Sequence, residues 1–172
     1  MPIRILPDTI ASQIAAGEVV DRPASVVKEL LENAIDAGAQ QIDIEVMQAG
    51  RRLIQVTDDG SGIPADELVL AVCRHATSKL STAEDLFNIR TLGFRGEALA
   101  SIGSVSRLTL ITNTRQNPFG AKLTVEGGAP AETQSIAAAG GTRVSVEDLF
   151  YNLPARLKFL KSDTTENRHI TG

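Results

Sequence analysis

The spacing of apolar and polar residues changes several times along the chain, and each change marks an element. Between positions 23 and 38 the apolar residues Val27, Leu30, Leu31, Ala34 and Ile35 recur at helical spacing. This predicts one helix, capped by Asp21, entered through Pro23 where a missing N–H costs little, and left through a left-handed Gly38. At about 100° per residue, Glu29, Asn33 and Asp36 fall on one stripe opposite that apolar face. Period two then takes over. Ile42, Ile44 and Val46 alternate with polar residues, Gly50-Arg51 turns the chain, and 53–59 alternates again, which predicts a hairpin. The alternation puts Asp58 on the core face with Ile54 and Val56 and sends Asp59 the other way.

The same reading places a short strand at 3–6 and a helix from Pro7-Asp8 to Ala16, with Leu6, Ile10 and Ile14 at helical spacing. Pro64 opens another helix with Asp66 and Glu67 in its first turn, Ser81 to Glu84 has the form of a capping box, and a further helix runs through Ile102. Strands are predicted at 105–112, 120–125, near 133–137 and at 142–146, with turns at Asn117-Pro118 and Gly127-Gly128. Asn152-Leu153-Pro154 then turns into a last helix. Early helices followed by a run of strands predict an α+β fold, a two-layer sandwich of helices packed on a mostly antiparallel mixed sheet.

Composition narrows the function. With 172 residues, 42% hydrophobic and 22% charged, the chain is about one globular domain. Aromatics are 3% and Trp is absent, so the core is aliphatic and base stacking has little to work with. A formal net charge of -4 gives no general footprint for nucleic acid, so any DNA contact is local. Arg156, Lys158 and Lys161 are one local positive patch, read either as a solvated helix face or as a phosphate contact. The single cysteine, Cys73, excludes a disulfide scaffold and a multi-cysteine metal site, and fits a reducing, cytoplasmic compartment. No apolar run approaches membrane-spanning length.

Several residues can carry chemistry. The Glu29 stripe holds no Lys or Arg, so a helical salt-bridge pattern does not explain it. A carboxylate and a neutral carbonyl one turn apart suit an activated water and a hard cation such as magnesium, which takes one or two protein oxygens plus phosphates and waters. The polar stripe of any surface helix is the alternative. Asp58, aimed inward without a nearby basic partner, can accept a hydrogen bond from the exocyclic amine of adenine, which GTP does not offer. Leaving a buried charged acceptor unpaired costs about 1.5–3 kcal/mol, so such a bond binds and discriminates together. A turn carboxylate at a strand end is the alternative. Gly60-Ser61-Gly62-Ile63-Pro64-Ala65 fits the form of a dinucleotide fingerprint, but Arg74-His75-Ala76-Thr77-Ser78-Lys79 stands where the acidic partner belongs. Residues 77–97 have the makings of a lid. Thr77, Ser78 and Lys79 offer hydroxyls and a point charge, and Gly93-Phe94-Arg95-Gly96-Glu97 lets backbone N–H groups approach an anion, unless that loop is only a turn. Gly140-Gly141-Thr142 can hold a water beside a base, or can be a hairpin turn. His75 and His169 have no metal-like companions.

The run Glu29-Leu30-Leu31-Glu32-Asn33-Ala34-Ile35-Asp36-Ala37-Gly38 is similar to the first motif of the GHKL ATPase superfamily, which includes gyrase, Hsp90-type chaperones, sensor histidine kinases and MutL mismatch repair proteins. Segments 29–38, 58–62, 74–79, 93–102 and 141–160 resemble the MutL family in order and style, and Gly-Phe-Arg-Gly-Glu-Ala-Leu with Leu-Phe-Tyr-Asn-Leu-Pro-Ala-Arg separates the chain from the other branches. The resemblance implies a Bergerat ATP-binding fold. It implies Glu29 as the base that polarises the attacking water, Asn33 as the magnesium ligand, and Asp58 as the reader of adenine with Gly62 allowing close approach. It also implies phosphate contacts from Thr77, Ser78, Lys79, Gly93, Phe94, Arg95, Gly96, Glu97, Ala98 and Leu99, support of the base by Thr142, and an outer role for Asp36. The family's partners would be a MutS-type recognition protein, DNA, a downstream nuclease or helicase, and a second copy on ATP binding. A lysine from a following domain and a dimerising C-terminal region fall outside 1–172, so the chain is expected to be a truncated, slowly hydrolysing ATPase domain, from a bacterium. Another GHKL ATPase, such as a topoisomerase subunit or chaperone, and a non-hydrolysing nucleotide-binding interaction domain are the alternatives.

Overall fold

A computed structural model describes Val20, residues 22–72, 98–114 and 119–153, and Leu157, Lys158, Leu160, Glu166 and Ile170. The elements are α1 (Pro23–Asp36), β1 (Ile42–Met47), β2 (Leu53–Asp58), α2 (Leu68–Ala71), α3 (Ala98–Ser104), β3 (Arg107–Asn113), β4 (Gly120–Glu126), β5 (Ala129–Pro130), β6 (Gln134–Ile136) and β7 (Gly141–Glu147). The strands form one sheet of order β1-β2-β7-β3-β4-β5, with β6 also on β4. Every pairing among the described residues is antiparallel. Helix α1 lies against β2, and α3 against β3 and β4, which makes the predicted two layers.

The ladder aligns the inward residues into rows that cross the sheet. Ile54, Val146, Leu108 and Val125 make one row, and Val56, Val144, Leu110 and Leu123 the next. All eight are buried, and they meet Val26, Val27, Leu30, Leu68, Ile102, Leu149 and Phe150 from the helical layer and the segment after β7. The third row is Asp58, Thr142, Thr112 and Ala121. At this end of the sheet the inward face turns from aliphatic to polar.

Helix α1 differs from expectation in two ways. Its N-cap is Arg22, extended at φ −159° and without a side-chain cap, with Pro23 at the first position; Asp21 lies outside the described residues. The exit is as expected. Gly38 sits at φ +77°, with Gly38 N–H donating to Ile35 O at 3.0 Å and Ala39 N–H to Ala34 O at 3.1 Å, the paired bonds of a Schellman closure. The second difference is rotation. The buried residues are Pro23, Val26, Val27, Leu30 and Ala34, whereas Ile35 is 51% exposed. Pro23 and Val26, which lie outside the apolar stripe counted from Val27, pull the helix round its axis. The Glu29 stripe therefore flanks the buried face, about a third of a turn from its centre, rather than opposing it.

The hairpin reverses through a short 3-10 segment, Gln48–Gly50, where Gln48, Ala49 and Gly50 all have positive φ. Pro64 precedes a 3-10 turn, Ala65–Glu67, before α2, so the predicted single helix is two short pieces. Gly127 and Gly128 turn β4 into β5 as expected. The predicted elements at 3–16, the capping box at 81–84, the Asn117-Pro118 turn and the Pro154 helix start lie outside the described residues, as does Cys73.

Candidate functional site

The predicted site residues on β2 and β7 come together at the polar end of the sheet. Asp58 ends β2 half-buried on the inward face, opposite Thr142. Its Oδ1 accepts the Gly60 N–H at 2.8 Å. Burial pushes the Asp58 carboxyl above the ordinary carboxylate range; N–H bonds from Gly60 and Thr142 pull it back in part, and the neighbouring Asp59 charge adds to the rise. Asp59 faces the other way, as alternation required. Its Oδ1 accepts the Gln40 N–H at 2.8 Å and the Gln41 N–H at 3.0 Å, which ties the start of β1 to the end of β2.

Close backbone packing holds this corner. Gly62 sits at φ +74°, and a Cβ there would meet the Asn113 carbonyl; at Gly141, φ +113°, a Cβ would meet the Asp58 carbonyl. Glycine at 62 is therefore demanded by the approach of its own chain to β3, before any nucleotide is considered. Ser61 N–H donates to Ala37 O at 3.0 Å, joining the Asp58 loop to the end of α1. On α1, Glu29, Asn33 and Asp36 are partly exposed along the stripe that borders the sheet.

One residue escaped the sequence reading. Thr112, 1% exposed, accepts the Ile63 N–H at 2.8 Å, and its Oγ1 lies 3.0 Å from Thr142 Oγ1 and 3.2 Å from Gly141 O. A threonine in a strand is ordinary by propensity. Its place beside Thr142, one strand beyond Asp58 in the same row, depends on pairing between strands 30 residues apart in the chain.

Asn33 and Glu29 together offer a carbonyl and a carboxylate oxygen, and no group of three or more His, Cys, Asp or Glu side chains gathers among the described residues. That donor set fits magnesium, which leaves most of its shell to phosphates and water, and does not fit an all-protein metal cage. Leu99 packs its side chain against the core, and Ala98 before it is partly exposed. Thr77, Ser78, Lys79 and 93–97 lie outside the described residues.

Cavity size and chemistry do not coincide. A cleft of about 480 Å³ is lined by Arg51, Arg52, Arg107, Asp148, Tyr151 and Leu157. It lies at the opposite end of the strands, where β3 begins and β7 ends, and holds none of the predicted site residues. Two of its arginines engage its carboxylate: Arg52 Nη1 is 2.6 Å from Asp148 Oδ1 and Arg107 Nη1 is 3.6 Å from Asp148 Oδ2, while the Arg107 guanidinium stacks 4.9 Å above the Tyr151 ring. No helix among the described residues is long and apolar enough to cross a membrane.

Residues 21–148 match the family of histidine kinase-, DNA gyrase B-, and HSP90-like ATPases. The chain is 63% identical to the DNA mismatch repair protein MutL of Bradyrhizobium diazoefficiens over 99% of its own length and 28% of that protein's. It is 57% identical to MutL of Solibacter usitatus over 98% of its length and 26% of that protein's. It thus spans a little over a quarter of the curated relatives it matches. Among solved structures, the Aquifex aeolicus MutL ATPase domain complexed with ADP aligns at a TM-score of 0.70 and 35% identity, covering 89% of this chain and 53% of that one. The N-terminal domain of a DNA repair protein aligns at 0.77 and 32%, covering 94% and 46%. With its antiparallel sheet, its helical layer and these matches, the chain belongs to the histidine kinase-, DNA gyrase B- and HSP90-like ATPase family, and within it to the MutL branch.

Proposed function

We propose that the chain is the magnesium-dependent ATPase domain of a MutL-type mismatch repair protein, with its nucleotide at the polar end of the sheet. The observation that carries this reading is Asp58: a half-buried carboxylate that ends an otherwise aliphatic face, with the Thr142 hydroxyl beside it. Adenine presents an amine donor next to a ring acceptor, which matches a carboxylate next to a hydroxyl. From that corner the bond to Ala37 leads to α1, where Glu29 and Asn33 face the phosphate end. Magnesium bound through Asn33 would neutralise phosphate charge. Glu29 takes the proton of the attacking water, and Asp36 steadies the stripe. Thr77, Ser78, Lys79 and the 93–99 motif would supply contacts to the phosphates, with Leu99 holding the end of that motif to the core. Phosphoryl transfer asks mainly for positioning and charge neutralisation, which this set supplies.

In the whole protein, ATP would draw two copies together and pass the signal of a MutS-type protein to a nuclease or helicase on DNA, in the bacterial cytoplasm. The relatives' names support the repair role, and the ADP complex of the Aquifex aeolicus domain supports the nucleotide. The test is equilibrium binding of ATP with and without magnesium, challenged by excess GTP. Magnesium-dependent binding that GTP does not compete is expected. Equal competition by GTP overturns the role of Asp58, and binding indifferent to magnesium overturns that of Asn33.

A further inference from the structure

Gln40 and Gln41 stand between the closing turn of α1, which ends with the Ala39 N–H bond to Ala34 O, and Ile42, the first residue of β1. Asp59 holds both. Its Oδ1 accepts the Gln40 N–H at 2.8 Å and the Gln41 N–H at 3.0 Å, and its own N–H donates to Gln41 O at 3.3 Å. Every donor here is a backbone N–H, so the direction of each bond is fixed. Two residues on, the Ser61 N–H donates to Ala37 O at 3.0 Å, and the Ala37 N–H donates to Asn33 O at 3.0 Å. Gly60 lies between the two grips. Its N–H is bound to Asp58 Oδ1 at 2.8 Å, and a Cβ on it would meet the Ala37 methyl and carbonyl oxygen at 2.8 Å. Residues 59–61 thus clasp the exit of α1 on either side of Gly38 and Ala39.

A single bond from Ser61 to Ala37 would be a pivot. A second grip farther along the chain stops rotation about it, and a carboxylate that accepts two N–H groups is a stronger grip than a neutral acceptor. We propose that Asp59 is a positioning residue for ATP: by holding Gln40 and Gln41 it fixes the angle of α1 against Asp58, and with it the reach from the base to the phosphates. This rests on the reading that Asp58 holds the adenine while Glu29 and Asn33 face the phosphates. Asp59 acts through the backbone, since alternation turns its side chain away from the Asp58 face. A ligand that engages one end of the site does not sense the angle. A ligand that spans both ends does, because its two ends bind together only where the spacing fits.

The experiment compares a ligand with one end and a ligand with two. Equilibrium binding of adenosine, and of ATP with magnesium, is measured for the unaltered chain and for Asp59→Ala, Asp59→Asn, Asp59→Glu and Asp58→Asn, each melted first to establish that it is folded. Asp59→Ala should leave adenosine binding near that of the unaltered chain and reduce the preference for ATP over adenosine by about tenfold, the lower end of what a hydrogen bond to a charged group contributes. Asp59→Asn keeps an oxygen at the same reach and should restore the preference without the charge. Asp59→Glu keeps the charge but moves the acceptor by one methylene, and should behave like alanine; it carries the test if the alanine variant does not fold. Equal weakening of both ligands, or an unchanged preference in the alanine and glutamate variants, overturns the proposal. Asp58→Asn separates the two readings. If it binds adenosine and ATP like the unaltered chain, the site assignment itself fails; if it loses both while the Asp59 variants keep the preference, only the role of Asp59 fails.

Discussion

Asp58 and Thr142 are direct partners across the β2–β7 ladder, and Gly141, next to Thr142, lets its backbone lie against the Asp58 carbonyl. A carboxylate is thereby held against the strand that supplies its hydroxyl companion, at a cost that burial makes visible in its proton affinity.

That cost has a sign. Because burial raises the Asp58 pKa in the folded chain, the folded state holds this proton more tightly than the unfolded one. Its ionisation therefore opposes folding: the penalty is absent below the ordinary carboxylate pKa and is complete above the raised one. Asp58→Asn should melt higher than the unaltered chain near neutral pH, with the gap closing as the pH falls through that window. Thermal melts across a pH series check this. ATP affinity should move the opposite way, falling on acidification as the acceptor is protonated.

Glu29→Ala should bind ATP with affinity close to that of the unaltered chain while turnover falls by about 10² to 10⁴, the usual contribution of a general base. Binding and steady-state hydrolysis measured side by side decide it. Equal loss in both would assign Glu29 to binding alone.

Two glycines with positive φ should respond differently to alanine. Around Gly38, the space that an added methyl group would occupy has nothing within 4 Å, so Gly38→Ala carries only the backbone term, about 1 kcal/mol. Gly141→Ala adds a collision with the Asp58 backbone, and should cost clearly more while also disturbing ATP binding. Denaturant unfolding of both variants gives the comparison.

Leu123, fully buried in the second aliphatic row, should cost about 2–5 kcal/mol when cut to alanine. Asp148→Ala, which removes only partly exposed ion pairs with Arg52 and Arg107, should cost about 1 kcal/mol or less. Chemical denaturation of the pair tests whether stability resides in the rows rather than in the charged cleft.

Much of this was legible in the residues. Period two separated Asp58 from Asp59, and the structure bears out the split, with Asp59 tied to Gln40 and Gln41. The β1–β2 hairpin, four later strands and the Gly38 exit were equally local, set by alternation and by one left-handed residue. The rotation of α1 was not legible, because Pro23 and Val26 count toward its buried face only when β2 lies beneath them. Nor was Thr112. Its meaning comes from register between β3 and β7, which no local pattern encodes.

The bond from Ser61 to Ala37 makes α1 and the Asp58 loop one piece. Base and phosphate ends of a nucleotide would then be measured by calipers whose opening is set before the ligand arrives. On the proposed reading, little ordering entropy would be spent on that half of the site when ATP binds. On that reading, a response to ATP would come from parts that move against these calipers, while the calipers themselves keep their gauge.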